Sequence, residues 1–303
     1  MTILSEHMDL KAYLINKKQI VDRALESCFT GVDGRLSDLT ESMRYSLLAG
    51  GKRLRPILCM AGAEAVGGNE TDVLPVACAL ELIHTYSLIH DDLPVMDNDD
   101  LRRGIPTNHK VFGEAVALLA GDGLLTEAFN MMAEAFSKSK VSAEALLKVI
   151  GIISRAAGYQ GMIGGQLADI KSEGMHAEPS LVEFIHEHKT GALIEASVTS
   201  GAILGGASPA QIKAIMSYGE KIGLTFQIAD DILDIEGDSQ EMGKSTGGDE
   251  EKGKITYPSA VGLNRSRQIA AELSRAAVLS LQGFDDRAEP LRRIAEYIVE
   301  RNK

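Results

Sequence analysis

The stretch Val76-Ala77-Cys78-Ala79-Leu80-Glu81-Leu82-Ile83-His84-Thr85-Tyr86-Ser87-Leu88-Ile89-His90-Asp91-Asp92-Leu93-Pro94-Val95-Met96-Asp97 decides the fold of this chain. Val76, Leu80 and Ile83 follow one helical stripe, which Ser87 continues, and the other faces are apolar too. A helix of that kind must be sheathed by other helices. It closes on two carboxylates, Asp91 and Asp92. Successive helical residues turn about 100°, so His84, Ser87 and Asp91 share a stripe. Pro94 disfavours helix at Leu93, so the chain is expected to leave the helix there and let Asp97 swing back towards Asp91. Carboxylates at the end of a buried helix are costly unless a cation or a donor compensates them.

The pattern recurs in the last third. In Phe226-Gln227-Ile228-Ala229-Asp230-Asp231-Ile232-Leu233-Asp234, the residues Gly223, Gln227, Asp230 and Asp234 share one stripe, with Asp231 beside it. Ile222, Leu224, Phe226, Ile228, Ile232 and Leu233 cover the other faces. A polar stripe on such a helix must line a cavity or meet an ion. Elsewhere apolar residues recur at helical spacing, broken by Gly67-Gly68-Asn69, Gly205-Gly206 and Gly237-Asp238-Ser239. No alternating strand pattern of any length, no Pro/Ser-rich linker and no internal repeat are present. The sequence predicts one all-α domain over residues 1–303.

Bulk composition narrows the function. Hydrophobic residues make up 45% of the chain and charged residues 24%, enough to fill a core. The net charge of −12 argues against a nucleic-acid surface. Cys28, Cys59 and Cys78 lack metal spacing and read as reduced packing residues of a cytoplasmic protein. The first residues carry no basic, apolar leader, and no run of about 18 apolar residues predicts a membrane span. Two familiar acidic or phosphate motifs fail. An EF-hand beginning at Asp97 would have Arg102 at its sixth position and Asn108 at its twelfth. A Walker A loop over 237–245 has its first glycine one residue too far from Gly243-Lys244-Ser245. Two separated sets of hard oxygen ligands with basic residues nearby point instead to magnesium ions clamping a substrate rich in phosphate oxygens.

The basic residues complete that picture. Gly51-Lys52-Arg53-Leu54-Arg55-Pro56 and Leu101-Arg102-Arg103-Gly104 are compact cationic knots. Arginine binds phosphate oxygens in pairs and lysine supplies a point charge. Either knot alone would also serve as a salt-bridge partner for the adjacent aspartates, and His84 alone would fit a satisfied core histidine.

Together, His84 through Gly104 resemble the first aspartate-rich region of the trans-prenyl diphosphate synthases, and Phe226–Asp234 the second. Gly51–Pro56, Gly164-Gly165-Gln166-Leu167-Ala168-Asp169 and Lys189-Thr190-Gly191 are similar to further blocks of that family, in order, across roughly residues 40–260. The resemblance implies a single helical bundle of the isoprenoid synthase type around a deep central cavity, as a homodimer. It implies that an allylic diphosphate ionises and that isopentenyl diphosphate attacks the cation. Asp91, Asp97 and Asp230 would hold magnesium, three ions per site with substrate bound, while Asp92, Asp231 and Asp234 ligate through water or orient the ligands. Arg102, Lys189 and Lys254, with Lys244 as helper, would hold the allylic diphosphate. Lys52, Arg55, His84 and Arg103 would hold the diphosphate of isopentenyl diphosphate. Lys189, Thr190 and Gln227 would form the catalytic group, Thr190 and Gln227 steadying the cation through oxygen dipoles.

Tyr86, five residues before Asp91, resembles the bulky floor residue of bacterial farnesyl diphosphate synthases, so farnesyl diphosphate is the expected product and geranylgeranyl diphosphate the alternative. A terpene cyclase would not need Lys52, Arg55 and Arg103. A non-catalytic synthase subunit could lose one acidic cluster, yet both are intact.

Overall fold

The structure, a computed structural model, describes residues 8–31, 34–236 and 253–300. Helix α1 (Leu10–Glu26) starts on Asp9, whose carboxylate accepts the Ala12 N–H at 3.0 Å. It is followed by α2 (Ser37–Leu47), α3 (Leu54–Ala65) and α4 (Glu70–Asp91). Asn69 caps α4 by accepting from Thr71 N–H. Next come α5 (Asn108–Phe112), α6 (Glu114–Lys138), α7 (Ala143–Ala157), α8 (Met162–Ser172) and α9 (Pro179–Ile185). A wide-turned π-helix over His186–Gly191 joins α9 to α10 (Ala192–Leu204). The long α11 (Pro209–Glu236), α12 (Tyr257–Val261), α13 (Leu263–Ser280) and α14 (Glu289–Glu300) finish the described chain.

The all-helical expectation holds, with one small exception. Leu101–Arg102 pairs antiparallel with Ile105–Pro106, in the register Arg102 opposite Ile105. The two-residue connection, Arg103-Gly104, has positive φ at both positions (54° and 79°), as a type I′ hairpin turn requires. Two-residue strands are too short to leave an alternating pattern in sequence.

Helices α4 and α10 are the sheathed elements. On α4, Val73, Val76, Ala77, Leu80, Leu82, Ile83 and Ile89 are all buried, so no single apolar face exists. α4 is long and apolar enough by composition to cross a bilayer, but it packs against α6 and α3 instead. α10 lies against α3 and α11, and α11 against α13. The fully buried Tyr218 of α11 donates its hydroxyl to Leu291 O at 2.7 Å, tying α14 to this layer.

One charge is buried deep in this framework. Arg53 is 3% exposed and αL at φ 53°. Its guanidinium reaches Asp22 Oδ1, Glu81 Oε1 and Leu47 O, each at 2.8 Å. The first arginine of the first cationic knot thus faces inward and joins α1, α2 and α4. We expect Arg53→Ala to destabilise the fold by about 3–5 kcal/mol, because Glu81 is left charged and buried without its partner. Urea unfolding of the variant against the parent checks this; a loss no larger than that of a surface arginine would contradict it.

Candidate active site

The break at Pro94 does what the sequence suggests. α4 ends at Asp91, and the chain turns so that Asp97 N–H donates to Asp91 O at 2.8 Å. Asn98, at φ 51°, donates its N–H to Leu93 O and closes the turn. The Asp91 and Asp97 carboxylates lie on one small loop. Burial pushes the Asp91 carboxyl up to about 6, and Asp97 adds to the shift, although Lys189, Arg102 and Lys254 pull against it. Three cationic side chains thus face the cluster without offsetting the cost of burying the Asp91 charge.

Those cations arrive from three directions. Arg102, on the hairpin, forks onto the buried Asp92, with Nε at 2.7 and 2.9 Å from its two oxygens, and reaches Asp99 at 3.6 Å. Burial works against the Arg102 charge, but the Asp92 fork outweighs it and holds its pKa above the usual arginine range. Lys254, just before α12, contacts Asp97 Oδ2 at 3.3 Å. Lys189, on the π-helix, is held by Asp169 Oδ2 of α8 at 2.6 Å. Lys244 lies outside the described residues.

The second acidic cluster is divided by its helix. Asp230 and Asp234 are half-buried, whereas Asp231 is 2% exposed and turned inward. Asp231 Oδ2 accepts Tyr257 N–H at 2.8 Å and lies 3.3 Å from His186 Nε2, while Oδ1 accepts Gln227 Nε2 at 3.1 Å. Gln227 Oε1 in turn accepts the Thr190 hydroxyl at 2.9 Å. Asp231 thus orients neighbours. A cavity of about 80 Å³ is lined by Asp169, His186, Lys189, Thr190, Gln227, Asp231 and Lys254.

Of the remaining site residues, Arg55, Arg103 and His84 lie within electrostatic reach of one another. Asp230 is in electrostatic reach of Arg55. The Arg55 pKa is lowered by burial, against the pull of Glu81 and Asp230, and its Nε finds no hydrogen-bond partner among the described residues. Arg103 donates to Gly50 O, and burial lowers its pKa, with Arg53 and Arg102 pushing the same way. His84 is held well below its ordinary range by burial and then by Arg55, Arg103 and Arg102, so its ring is neutral. Lys52 is exposed, at an apolar cavity of about 280 Å³ lined also by Leu54, Phe226 and Tyr297. Two half-buried arginines and a neutral imidazole form a site suited to a polyanion.

The two halves fit divalent cations as well. All donors of the acidic clusters are hard oxygens, and the upward shift of Asp91 marks carboxylate charge that lacks compensation. Among the described residues, no three His, Cys, Asp or Glu side chains are grouped to hold an ion by themselves. Magnesium sites completed by substrate phosphates have that character.

Sequence reasoning missed several contributors. Asp169 stood in a quoted block without a role, and its pairing with Lys189 is a long-range contact. His186 carried no signal beyond lying three residues before Lys189. Two glycines are required by close approach. A Cβ on Gly165 would sit 2.2 Å from Lys189 N, and one on Gly223 would sit 2.6 Å from Gly191 Cα.

Comparison with known proteins fits this geometry. The polyprenyl synthetase family profile matches residues 37–289. A Catharanthus roseus protein named geranylgeranyl pyrophosphate synthase, chloroplastic, is 51% identical over 98% of this chain and 83% of its own length. The apo structure of a farnesyl/geranylfarnesyl diphosphate (FPP/GFPP) synthase from Zymomonas mobilis superposes with a TM-score of 0.86 at 37% identity, covering 96% of this chain and 99% of that one. A geranyltransferase from Helicobacter pylori, complexed with magnesium and isoprenyl diphosphate, gives a TM-score of 0.83 at 31% identity and covers 99% of both chains.

The glycine contact between α11 and the π-helix generates a prediction. Gly223→Ala puts a methyl against the Gly191 backbone, which cannot yield as a side chain tip would, so α11 and the π-helix must part and the Thr190–Gln227 bond lengthens. We expect turnover to fall by about a hundredfold, the scale of a 1 Å misplacement at a reacting centre. Steady-state kinetics on the folded variant checks this; parental turnover would show that the contact does not set the site.

Proposed function

The chain belongs to the polyprenyl synthetase family, and from that premise we propose that it is a trans-prenyltransferase that condenses isopentenyl diphosphate with allylic diphosphates up to geranylgeranyl diphosphate. The observation that carries the reaction is the pairing of two acidic clusters with two separate cationic groups. One group, Lys189 and Lys254, reaches the carboxylates of the first cluster. The other, Arg55 and Arg103 around His84, has too little counter-charge of its own.

The chemistry follows from that division. The allylic C–O bond breaks with its electron pair going to the diphosphate. The double bond of isopentenyl diphosphate attacks the resulting cation, and a proton leaves from the new adduct to the released diphosphate. Magnesium bound at Asp91, Asp97 and Asp230, three ions in the full complex, would supply positive charge to the departing diphosphate. Lys189 and Lys254, which face the first acidic cluster, hold that diphosphate too, and Asp169 keeps Lys189 from swinging away. Lys52, Arg55, His84 and Arg103 hold the second diphosphate; a neutral His84 offers it an N–H without adding another charge to the arginines. Thr190 and Gln227 turn oxygen atoms towards the allylic carbons. The apolar walls of α4 and α11 exclude water that would quench the cation. The same reading carries a homodimer of single synthase domains in a reducing compartment, the last supported by the buried thiols of Cys59 and Cys78.

Product length separates two readings. The sequence reading put farnesyl diphosphate first. The half-identical relative named as a geranylgeranyl pyrophosphate synthase supports the twenty-carbon product instead. The specific observation on the other side is Tyr86, 6% exposed at the end of α4, with its ring edge-on to His90 at 5.7 Å between centroids. The test is incubation with isopentenyl diphosphate and each allylic primer, with chain length read by mass spectrometry. A twenty-carbon main product upholds the proposal, and one that stops at fifteen carbons returns the assignment to Tyr86.

Two variants probe the machinery. Asp230→Ala at saturating magnesium should lower turnover on the order of a hundred- to a thousandfold, since the carboxylate acts mainly as charge develops. Near-parental turnover would sink the two-cluster clamp. Tyr86→Ala should lengthen the main product by one or more isoprene units. Each unit buries five carbons at about 0.8 kcal/mol per methylene, ample to hold a longer chain. An unchanged product from a folded Tyr86→Ala protein would place the floor elsewhere.

A further inference from the structure

We propose that His186 is a positioning residue for prenyl transfer: with Tyr257 N–H, it pins one oxygen of Asp231, so that the other fixes which way the Gln227 amide faces and what Thr190 presents to the substrate. This rests on the prenyl-transfer reading above, and assigns a role to a residue that neither the motifs nor the two diphosphate sites used.

The argument starts from a symmetry problem. A glutamine side chain has two nearly isosteric ends, one a donor and one an acceptor. Turned one way, Gln227 offers Thr190 a carbonyl oxygen. Turned the other way, it points an NH₂ group, partially positive, towards the place where an allylic cation forms. Gln227 has the first orientation because its Nε2 donates to Asp231 Oδ1 at 3.1 Å and its Oε1 accepts from Thr190 at 2.9 Å. The choice is therefore made by Asp231, an acceptor with no donor to give when ionised.

Asp231 can impose that choice only if its carboxylate does not rotate. Its Oδ2 is held from two sides. Tyr257 N–H donates at 2.8 Å, and this N–H is aimed by the start of α12, where Thr256 and Ser259 form a capping box. His186 Nε2 lies 3.3 Å away, and its ring stacks on Tyr257 at 5.5 Å between centroids and 27° between planes. The imidazole, 5% exposed, is pushed down to about 3 by burial and Lys189. Its Nε2 faces that oxygen, and its buried Nδ1 finds no hydrogen-bond partner among the described residues. A neutral donor holds Asp231 without cancelling its charge. That charge polarises Gln227 and then Thr190 along one chain, and each oxygen becomes a better dipole for a cation.

The wide π-turn makes this possible. It carries His186 at its first residue and Thr190 near its last, so one element supplies both the residue that pins Asp231 and the hydroxyl at the far end of the chain.

The test separates donation from packing. His186→Phe keeps a ring against Tyr257 and removes the donor; His186→Gln keeps an N–H at a similar reach. We expect His186→Phe to lower kcat about ten- to a hundredfold, the scale of a lost hydrogen bond to a charged group, with the KM for isopentenyl diphosphate unchanged. His186→Gln should recover most of that loss. The double variant His186→Phe, Thr190→Val should be no slower than Thr190→Val alone, because both act through one chain. If His186→Phe does not fold, His186→Asn, too short to reach Asp231, takes its place. Parental kcat in the donor-free variant, equal losses in His186→Gln, or additive losses in the double variant would overturn the inference. An inactive parent protein would instead overturn the prenyl-transfer reading.

Discussion

The wide turn over His186–Gly191 is the constraint on which the site depends. A π-turn has poorer backbone geometry than an α-helix and persists only where its surroundings hold it. Here three contacts do so. Gly165 lets α8 come against Lys189, Gly223 lets α11 come against Gly191, and His186 is locked against Tyr257 and Asp231. Removing the π-turn would rotate Lys189 and Thr190 relative to His186 by the angle of one residue, about 100°. Lys189 could not then face Asp169 and the first acidic cluster while Thr190 faces Gln227. The backbone irregularity and the arrangement of functional side chains have one cause.

Charge is sorted by the same logic. Each cationic knot contains one arginine engaged with the protein's own acids and another that forms no ion pair among the described residues. Arg53 is engaged by Asp22 and Glu81, whereas Arg55 two residues later has an Nε with no hydrogen-bond partner among the described residues. Arg102 is engaged by Asp92, whereas Arg103 donates to a backbone carbonyl. The inward arginines tie distant segments together, while burial and then Arg55 and Arg103, more than Arg102 and Arg53, push down the proton affinity of His84. A chain with net charge −12 can in this way keep a positive interior patch without neutralising it.

Much of this was legible in the sequence, because it is local. The sheathing of α4 follows from apolar residues on every face, the break after Asp91 from Pro94, and the polar stripe of α11 from helical arithmetic. The family blocks carried the pairing of substrate groups with residues. What could not be read depends on the meeting of distant segments. Asp231 shares its stripe with nothing that reveals an inward role; only Tyr257 and His186, which fold onto it, decide that it orients rather than ligates. Lys189 had no visible anchor because Asp169 lies on another helix. The family resemblance assigned Arg102 and Arg103 to different diphosphates, but nothing in the sequence showed that Arg102 would also fork onto Asp92.

That last separation comes from the Arg103-Gly104 hairpin. Arg102 sits on a strand and Arg103 at positive φ, so neighbouring guanidinium groups leave the chain in different directions. A two-residue turn has no slack. Inserting or deleting one residue here would exchange the two arginines between their destinations, sending a phosphate-facing group to Asp92 and a structural one to Gly50. The length of this segment is therefore as much a part of the site as its arginines, whereas a longer surface loop elsewhere could grow or shrink at little cost.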